Sequence, residues 1–191
     1  IIKDSDWLIS NASCTTNCLA PLVKVIDKEW GIQHGFMSTV HSYTANQCIQ
    51  DAPHKDLRRA RAAAINMLPT TTGAAKALAL VLPHIKGKIS ASSIRVPIPT
   101  GSLVELICSL DRETNVKDVN AAFKTASQSD LKGILEYSAK PLVSSDIVSN
   151  THSSIFDSLL TTMHHGMLKV TSWYDNEAGY STRLAEMAMM L

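Results

Sequence analysis

The sequence predicts an α+β fold, a largely antiparallel sheet with helices packed on one face, as a single domain over residues 1–191. Helix-spaced apolar residues are dispersed among short strand patterns and do not alternate with them regularly, as they do in parallel α/β folds. Turn signals such as Pro99-Thr100-Gly101 separate neighbouring strand patterns, which favours antiparallel pairing. No internal repeat or linker divides the chain, and 191 residues are enough for a sizeable core.

The composition is that of an ordinary globular protein, with 45% hydrophobic residues, 18% charged residues and a formal charge of +1. So small a charge gives no general attraction for nucleic acid or for a membrane surface. No apolar run approaches the roughly 20 residues that a membrane span needs, and no signal peptide opens the chain. Four cysteines without a regular framework predict reduced thiols in the cytoplasm and no metal site.

The first elements lead into a long polar loop. Ile1–Ile9 is apolar enough for a strand, and its abrupt start indicates further sequence upstream. A helix is expected over about Cys14–Trp30, ended by Gly31. Phe36–Thr44 alternates apolar and polar residues, as a half-buried strand does. Thr44–Lys55 has no periodicity, and a loop of that length in a compact domain is usually functional.

Prolines limit the next two segments. Asp56–Met67 is rich in arginine and alanine and is compatible with a helix, although Pro69 prevents it from extending further. Thr70–Gly73 offers caps for a more convincing helix over Ala74–Leu82, which Pro83 closes.

The second half combines short strands with two amphipathic helices. The predicted helices are Val116–Ser127 and a methionine-rich final helix, Glu177–Leu191. The predicted strands are Ser90–Pro97, Ser102–Leu110, Leu142–Ile147, Ser154–Leu160 and Met167–Tyr174.

The most informative stretch is the polar run Ser10–Cys18, which stands between the first strand pattern and the first helix. Its capping residues place Cys14 near the first turn of that helix. Unpaired backbone N–H groups and the positive end of the helix dipole favour an anion there, so Cys14 is expected to have a lowered pKa. The structural alternative is a small buried residue that fills a turn.

A cysteine nucleophile needs a base, and His41 is the preferred candidate because polar residues follow it at a strand end. His152 is a second candidate, and a purely structural histidine is the alternative. Thr70–Gly73 offers hydroxyl and backbone N–H groups that suit a phosphate, or serves as a plain helix cap. Arg95 interrupts an apolar strand and therefore needs an anion, either a phosphate or a structural carboxylate.

Several segments together resemble the phosphorylating glyceraldehyde-3-phosphate dehydrogenases of bacteria. The resemblance rests on the nine residues Ser10–Cys18 and spans essentially the whole chain. The other matching segments are Thr39–Thr44, Asp56–Arg61, Pro69–Lys76, Arg95–Ser102, Leu131–Leu135 and Ser172–Glu177. It implies the C-terminal catalytic portion only: the family's N-terminal Rossmann half would precede Ile1, and no GxGxxG motif occurs in this sequence. The helix at 177–191 would return to that missing domain.

The resemblance also implies roles for individual residues. Cys14 matches the nucleophile and His41 its base. The positions matching the site for inorganic phosphate are Ser13, Thr15, Thr72 and Gly73. The positions matching the site for the substrate's own phosphate are Thr44 and Arg95, with Arg59 in the same anion region. The positions matching contacts of the nicotinamide are Asn176 and Tyr180.

The implied reaction is oxidation of D-glyceraldehyde 3-phosphate with NAD and inorganic phosphate to 1,3-bisphosphoglycerate, through a cysteine thioester. The family implies a cytoplasmic homotetramer of glycolysis. Pro53 fits the NAD-preferring pattern, while Ala52 resembles forms that accept NADP. Two alternatives stay open: an erythrose-4-phosphate dehydrogenase, and a non-catalytic fragment that acts as a binding or assembly module.

Overall fold

The computed structural model describes residues 8–190, which form four α-helices and eight strands. The helices are α1 (Cys14–Trp30), α2 (Ala74–Val81), α3 (Val116–Gln128) and α4 (Ala178–Ala188). The strands are β1 (Ile32–Ser42), β2 (Leu68–Thr70), β3 (Ile89–Val96), β4 (Ser102–Leu110), β5 (Leu135–Ser138), β6 (Ser154–Asp157), β7 (Thr162–His164) and β8 (Met167–Tyr174). None of the helices in this part of the chain is long and apolar enough to cross a membrane.

The strands form one mixed sheet in the order β2-β3-β1-β4-β8-β6-β5, with β7 paired to β8. Only the pairs β1–β3 and β5–β6 are parallel, and the other pairings are antiparallel. The predicted class, α+β with a largely antiparallel sheet, is therefore confirmed. The order of the strands was not predicted: β1 lies between β3 and β4, although the chain joins these two by a short turn.

The core lies between the sheet and α1, which contacts β1, β4, β6 and β8. Helix α1 buries an apolar stripe that includes Cys18, Leu22 and Ile26, because these residues recur at helical spacing. Burial of a leucine or isoleucine side chain such as Leu22 or Ile26 contributes roughly 1.5–3 kcal/mol. Helices α2 and α3 flank α1, and Phe123 of α3 stacks on Phe156 of β6 with ring centroids 3.9 Å apart.

The other side of the sheet carries exposed apolar residues. Phe36 on β1 and Ile107 on β4 are register partners, and their side chains are 49% and 36% exposed. Ile94 on β3 is also exposed. We call this surface the open face. The exposure of these residues indicates that the helices among residues 8–190 pack on the opposite side of the sheet, where α1 lies.

Several predicted elements differ from the structure. Leu142–Ile147 is not a strand: Asp146 accepts a hydrogen bond from the Val143 backbone N–H, and a 3₁₀ turn forms at Ser144–Ile147. Asp56–Met67 holds only a 3₁₀ turn at Ala63–Ile65. The sequence analysis also missed β2, β5 and β7. These strands have only three or four residues, so pairing with a neighbouring strand defines them rather than an alternating pattern of their own.

Other predictions match the structure closely. The predicted helix over Cys14–Trp30 and the predicted strand over Met167–Tyr174 have the observed bounds. The predicted final helix is confirmed over Ala178–Ala188. Most of the predicted strand Ile1–Ile9 lies outside the described residues, and its last two residues have no regular structure.

Candidate active site

Cys14 is the first residue of α1. The helix begins there because Ser13 has an extended backbone, with φ of −133°, and its Oγ accepts a hydrogen bond from the Thr16 backbone N–H at 3.1 Å. The preceding residue, Ala12, has a φ of 56°, so the chain turns sharply into the helix. The cap and the turn place Cys14 in the first turn of α1, where the Cys14 and Thr15 backbone N–H groups have no partner within the helix.

His41 lies near the end of β1, with Nε2 3.4 Å from Cys14 Sγ. The two residues are 27 positions apart in the sequence, and they meet because α1 packs across the strand that follows it. His152, the second candidate, is engaged elsewhere: its Nδ1 lies 2.9 Å from Asn150 Oδ1 and 3.2 Å from Glu136 Oε2. The structure therefore brings His41, and not His152, to the cysteine.

Both groups are neutral in the resting site. Burial raises the pKa of the Cys14 thiol, and the opposing hydrogen bonds from Thr15 and the charge of Arg95 do not offset it. Burial, followed by the charge of Arg95, lowers the pKa of His41 to about 4. The lowered pKa expected for Cys14 from its place at the helix start is thus wrong for this structure, because desolvation outweighs the helix end.

Arg95 stands beside His41, since the two residues are register partners on β3 and β1. Its Nη1 lies 2.6 Å from His41 Nδ1 and 2.8 Å from the Ser42 carbonyl oxygen. Among residues 8–190, no carboxylate comes within 4.0 Å of this guanidinium. The structural ion pair considered for Arg95 is therefore not present in this part of the chain.

Tyr174 supports both partners, and the sequence analysis assigned it no role. Its hydroxyl lies 2.9 Å from both Thr15 Oγ1 and Thr39 Oγ1. Its ring meets the His41 ring edge-on, with centroids 5.8 Å apart. Burial raises the pKa of Tyr174, so the hydroxyl stays protonated and fixes the start of α1 against β1. In the sequence, only the position of Tyr174 at the end of a strand pattern could have pointed to this role.

A cavity of about 400 Å³ opens beside Cys14. Eight of the predicted site residues line it: Ser13, Cys14, Thr15, His41, Arg59, Thr72, Gly73 and Arg95. Two arginines and the unpaired N–H groups of a helix start make this space positive, so it suits a phosphate. Thr72 also contacts the start of α2, where its Oγ1 accepts a hydrogen bond from the Ala74 backbone N–H at 3.2 Å.

Arg59 connects the long loop to the threonine run. Its Nε donates to Thr70 Oγ1 at 2.9 Å, and its Nε lies 3.7 Å from Asp56 Oδ2. The Asp56 carboxylate accepts further hydrogen bonds from backbone N–H groups of the loop, which keep its pKa below the usual range. These contacts hold the Arg59 guanidinium at the mouth of the cavity although it belongs to an irregular segment.

Thr44 is not among the residues of the Cys14 cavity. It lines a separate cavity of about 430 Å³ together with Gln47 and Glu177. Its hydroxyl donates to Asn46 Oδ1 at 2.8 Å. The structure thus brings Arg95 to the nucleophile and leaves Thr44 in a neighbouring space.

Asn176 is held by its side-chain oxygen. Its Oδ1 accepts hydrogen bonds from Ser42 Oγ at 2.8 Å, from Ser102 Oγ at 3.1 Å and from the Gly101 N–H at 3.2 Å. The amide orientation is therefore fixed, with Nδ2 3.3 Å from Glu177 Oε1. A fixed amide donor fits the carboxamide oxygen of a nicotinamide.

Tyr180, the other predicted nicotinamide contact, lies in α4 and is positioned close to the start of α1. Its carbonyl oxygen accepts a hydrogen bond from Asn11 Nδ2 at 3.2 Å. Within residues 8–190, no group of three or more histidine, cysteine, aspartate or glutamate side chains is arranged to hold a metal ion.

Comparison with known proteins agrees with this geometry. Residues 13–176 match the family described as "Glyceraldehyde 3-phosphate dehydrogenase, C-terminal domain". The chain is 59% identical over 187 residues to the glyceraldehyde-3-phosphate dehydrogenase of Mycobacterium avium, covering 98% of this chain and 55% of that protein. It is 58% identical to glyceraldehyde-3-phosphate dehydrogenase 1 of Bacillus cereus over 182 residues, 95% of this chain and 54% of that protein.

The chain therefore spans about half the length of the curated relatives it matches. The matched region includes the nucleophile candidate, its histidine and the arginine beside it. By sequence and by the arrangement of these residues, the chain belongs to the glyceraldehyde-3-phosphate dehydrogenase family, as its C-terminal domain.

Proposed function

We propose that this chain is the catalytic portion of an enzyme that oxidises D-glyceraldehyde 3-phosphate with NAD and inorganic phosphate to 1,3-bisphosphoglycerate. The observation that carries the proposal is the pair Cys14–His41, 3.4 Å apart at the edge of a positive cavity. A nucleophile beside a neutral imidazole, with an anion site in reach of both, is the set of groups that acyl-phosphate formation needs.

In the proposed reaction the Cys14 sulfur adds to the aldehyde carbon, and His41 takes the thiol proton. The backbone N–H groups at the start of α1 stabilise the oxyanion of the resulting hemithioacetal. Bound NAD supplies the acceptor for the hydride that leaves this carbon. Protonated His41 returns its proton to the oxyanion and takes this hydroxyl proton back as the hydride leaves, so that a thioester forms on Cys14.

The second half of the reaction uses the phosphate side of the cavity. Inorganic phosphate held by Ser13, Thr15 and Thr72 attacks the thioester carbonyl carbon, and the Cys14 thiolate leaves. The acyl phosphate is released and the thiolate regains its proton from His41. A thiolate is a better leaving group than an alkoxide, which explains a cysteine here in place of a serine.

The other residues of the proposed site bind phosphate groups or the nicotinamide. Arg95, Arg59 and Thr44 would hold the substrate's own phosphate, and Gly73 leaves the entrance of the inorganic phosphate site open. Asn176 and Tyr180 would contact the nicotinamide, with Asn176 already fixed by three hydrogen bonds to its oxygen. We further propose that α4 faces the cofactor domain that such enzymes carry.

We also propose that the working protein is a cytoplasmic homotetramer. The open face of the sheet supports the oligomer, since its exposed Phe36 and Ile107 are the kind of residues that subunit interfaces bury. The four cysteines are free thiols, which agrees with a reducing cytoplasm.

The direct test is NADH formation from glyceraldehyde 3-phosphate by the purified protein, with its intact mass measured on the same sample. NADH formation must depend on added phosphate, and Cys14→Ser must abolish it, whereas Cys48→Ser outside the cavity must not. NADH formation without phosphate, or undiminished turnover in Cys14→Ser, would contradict the proposal. If erythrose 4-phosphate is turned over faster than glyceraldehyde 3-phosphate, erythrose 4-phosphate is the substrate instead.

The alternative left open by the sequence is a non-catalytic binding or assembly module. Titration with NAD separates the two. Saturable NAD binding together with phosphate-dependent turnover supports the enzyme, while a folded protein that binds no NAD supports the module.

A further inference from the structure

The β7–β8 hairpin carries two adjacent histidines at its tip. Strand β7 ends at His164 and β8 begins at Met167, so the turn between them consists only of His165 and Gly166. These two turn residues have φ of 46° and 77°, the positive values of a tight turn that joins two antiparallel strands. Asn-Gly is the pair that such a turn prefers, so the fold of the hairpin does not require a histidine at position 165.

Three side chains with metal-binding atoms converge at this tip. His164 and Met167 are register partners that flank the turn, so their side chains lie on the same face of the hairpin. The Cβ atoms of such cross-strand pairs are about 4.5–5.5 Å apart. The ring of His165 meets that of His164 edge-on, with centroids 4.3 Å apart. Two imidazoles and one thioether therefore lie together within four consecutive residues.

The two histidines differ from the others in what they contact. Both are exposed, and their rings contact each other. In each of the other five histidines a ring nitrogen lies within hydrogen-bond distance of another protein group; these are His34, His41, His54, His84 and His152. Met167 is also 49% exposed, whereas Met163 of β7 packs against the core. The three side chains of the tip are therefore open to a ligand from solution.

The chemistry of the three donors indicates which ion they suit. Imidazole binds zinc, copper, nickel and iron, whereas a thioether is a soft ligand that selects Cu(I). The set contains no carboxylate or carbonyl oxygen of the kind that Mg²⁺ and Ca²⁺ require. Bonds between a metal ion and imidazole are about 2.0 Å long, so two nitrogens on one ion lie at most about 4 Å apart. Exposed rings with centroids 4.3 Å apart reach this separation by rotation of their side chains.

We propose that the tip of the β7–β8 hairpin is a binding site for one Cu(I) ion, with His164, His165 and Met167 as its ligands. The third ligand is a thioether, so the site is consistent with the lack of a cluster of three histidine, cysteine, aspartate or glutamate side chains among residues 8–190. The bound ion joins the end of β7 to the start of β8 and so stabilises the hairpin. Because its ligands are exposed, Cu(I) is taken up and released without unfolding of the domain. The site uses neither Cys14 nor the phosphate cavity and does not depend on the proposed function.

The test is a titration of the full chain with Cu(I), kept reduced by ascorbate under argon and in competition with the chelator bicinchoninate. Free thiols also bind Cu(I), so the accessible cysteines are first alkylated with iodoacetamide. The chain is labelled with ¹³C at the methyl groups of its seven methionines. One equivalent of Cu(I) should shift the Met167 methyl resonance, assigned with Met167→Leu, together with the ring resonances of His164 and His165. The other six methionine resonances should stay in place.

Two variants each remove one ligand with little effect on the fold. His165→Asn introduces the residue that the turn prefers, and Met167→Leu conserves the volume and apolar character of the side chain. Each should weaken Cu(I) binding by at least about tenfold, since loss of an outer-shell partner alone costs a metal site about 10–100-fold in affinity. The matched controls are His34→Asn, whose ring contacts Ser109, and Met163→Leu, on the core side of β7. Both controls should bind Cu(I) as the wild type does.

The copper site is overturned if the Met167 methyl resonance does not respond to Cu(I), or if His165→Asn and Met167→Leu bind Cu(I) as tightly as the wild type. Unchanged resonances of the remaining methionines establish that the variants are folded. Titration with Zn²⁺ tests the choice of ion: Zn²⁺ should leave the Met167 methyl resonance unmoved, and an equal shift at equal affinity would contradict selection of Cu(I). A protein that makes no NADH but shows the Met167 shift keeps the copper site and loses the proposed reaction.

Discussion

The two walls of the Cys14 cavity are built in different ways. One wall comes from the start of α1 and the ends of β1 and β3, with Tyr174 of β8 supporting it from outside the cavity, and its side chains are held by the packing of regular elements. The facing wall comes from Arg59 and Thr71–Gly73, in the irregular segment 43–73, where one 3₁₀ turn, the short strand β2 and side-chain hydrogen bonds hold the chain. The first wall holds the reacting groups in fixed positions, whereas the second contributes hydroxyl groups and a guanidinium that can adapt to an anion.

This contrast predicts that substitutions in the two walls have different effects. A change in the regular wall should reduce the rate of the chemical step and alter the stability of the fold. A change in the irregular wall should weaken the binding of phosphorylated ligands and leave the rate of the chemical step and the stability of the fold unchanged. Three experiments, in order of expected effect, can support or contradict this division.

The largest effect is expected from His41→Asn. Asparagine fits the space but cannot take a proton, so kcat for phosphate-dependent NADH formation should fall by about 10²–10⁴-fold, the usual cost of losing a general base. His152→Asn is the matched control, because His152 contacts Asn150 and Glu136 instead of the cysteine. A decrease in His41→Asn smaller than tenfold would show that another group removes the thiol proton.

His41 should also make the stability of the fold depend on pH. Its pKa is about 4 in the folded protein and near 6.5 when unfolded, so the unfolded state binds the extra proton between these values. The contribution to the free energy of unfolding is complete above pH 6.5 and is lost as the pH falls towards 4, a difference on the order of 3 kcal/mol.

Urea unfolding of wild type and His41→Asn at several pH values measures this contribution. The free energy of unfolding of the wild type should decrease more steeply from pH 6.5 to 4 than that of the variant. Equal slopes would mean that the imidazole is hydrated in the folded protein and does not belong to a rigid, buried wall. Carboxylates such as Asp175 titrate in both proteins and cancel in the comparison.

The difference between the walls also explains what the sequence could predict. Local signals gave the bounds of α1 and β8, because capping residues and alternation depend on near neighbours. The capping run and the polar strand end made Cys14 and His41 candidates, the family resemblance implied their roles, and the structure places them 3.4 Å apart. These features belong to the regular wall, where local pattern and tertiary packing agree.

Other features depend on contacts between distant residues. The insertion of β1 between β3 and β4 is a choice of long-range pairing that a turn signal does not encode. The raised pKa of Cys14 results from burial by the assembled cavity, and the role of Tyr174 depends on two hydroxyl groups from other elements. The position of Thr44 in a neighbouring cavity depends on the path of an irregular loop.

The smallest effect is expected from Thr44→Val, in the same irregular segment as the second wall but in the neighbouring cavity. The variant loses a hydroxyl whose only contact in the described structure is Asn46 Oδ1, so the free energy of unfolding should change by less than about 0.5 kcal/mol. If Thr44 binds the substrate's phosphate as proposed, the KM for glyceraldehyde 3-phosphate should rise by up to about tenfold, the equivalent of one hydrogen bond, at nearly unchanged kcat. Thr44→Ser should restore the wild-type KM. A loss of kcat comparable with that of His41→Asn would place Thr44 among the reacting groups and abolish the division between the walls, while an unchanged KM would remove Thr44 from the site.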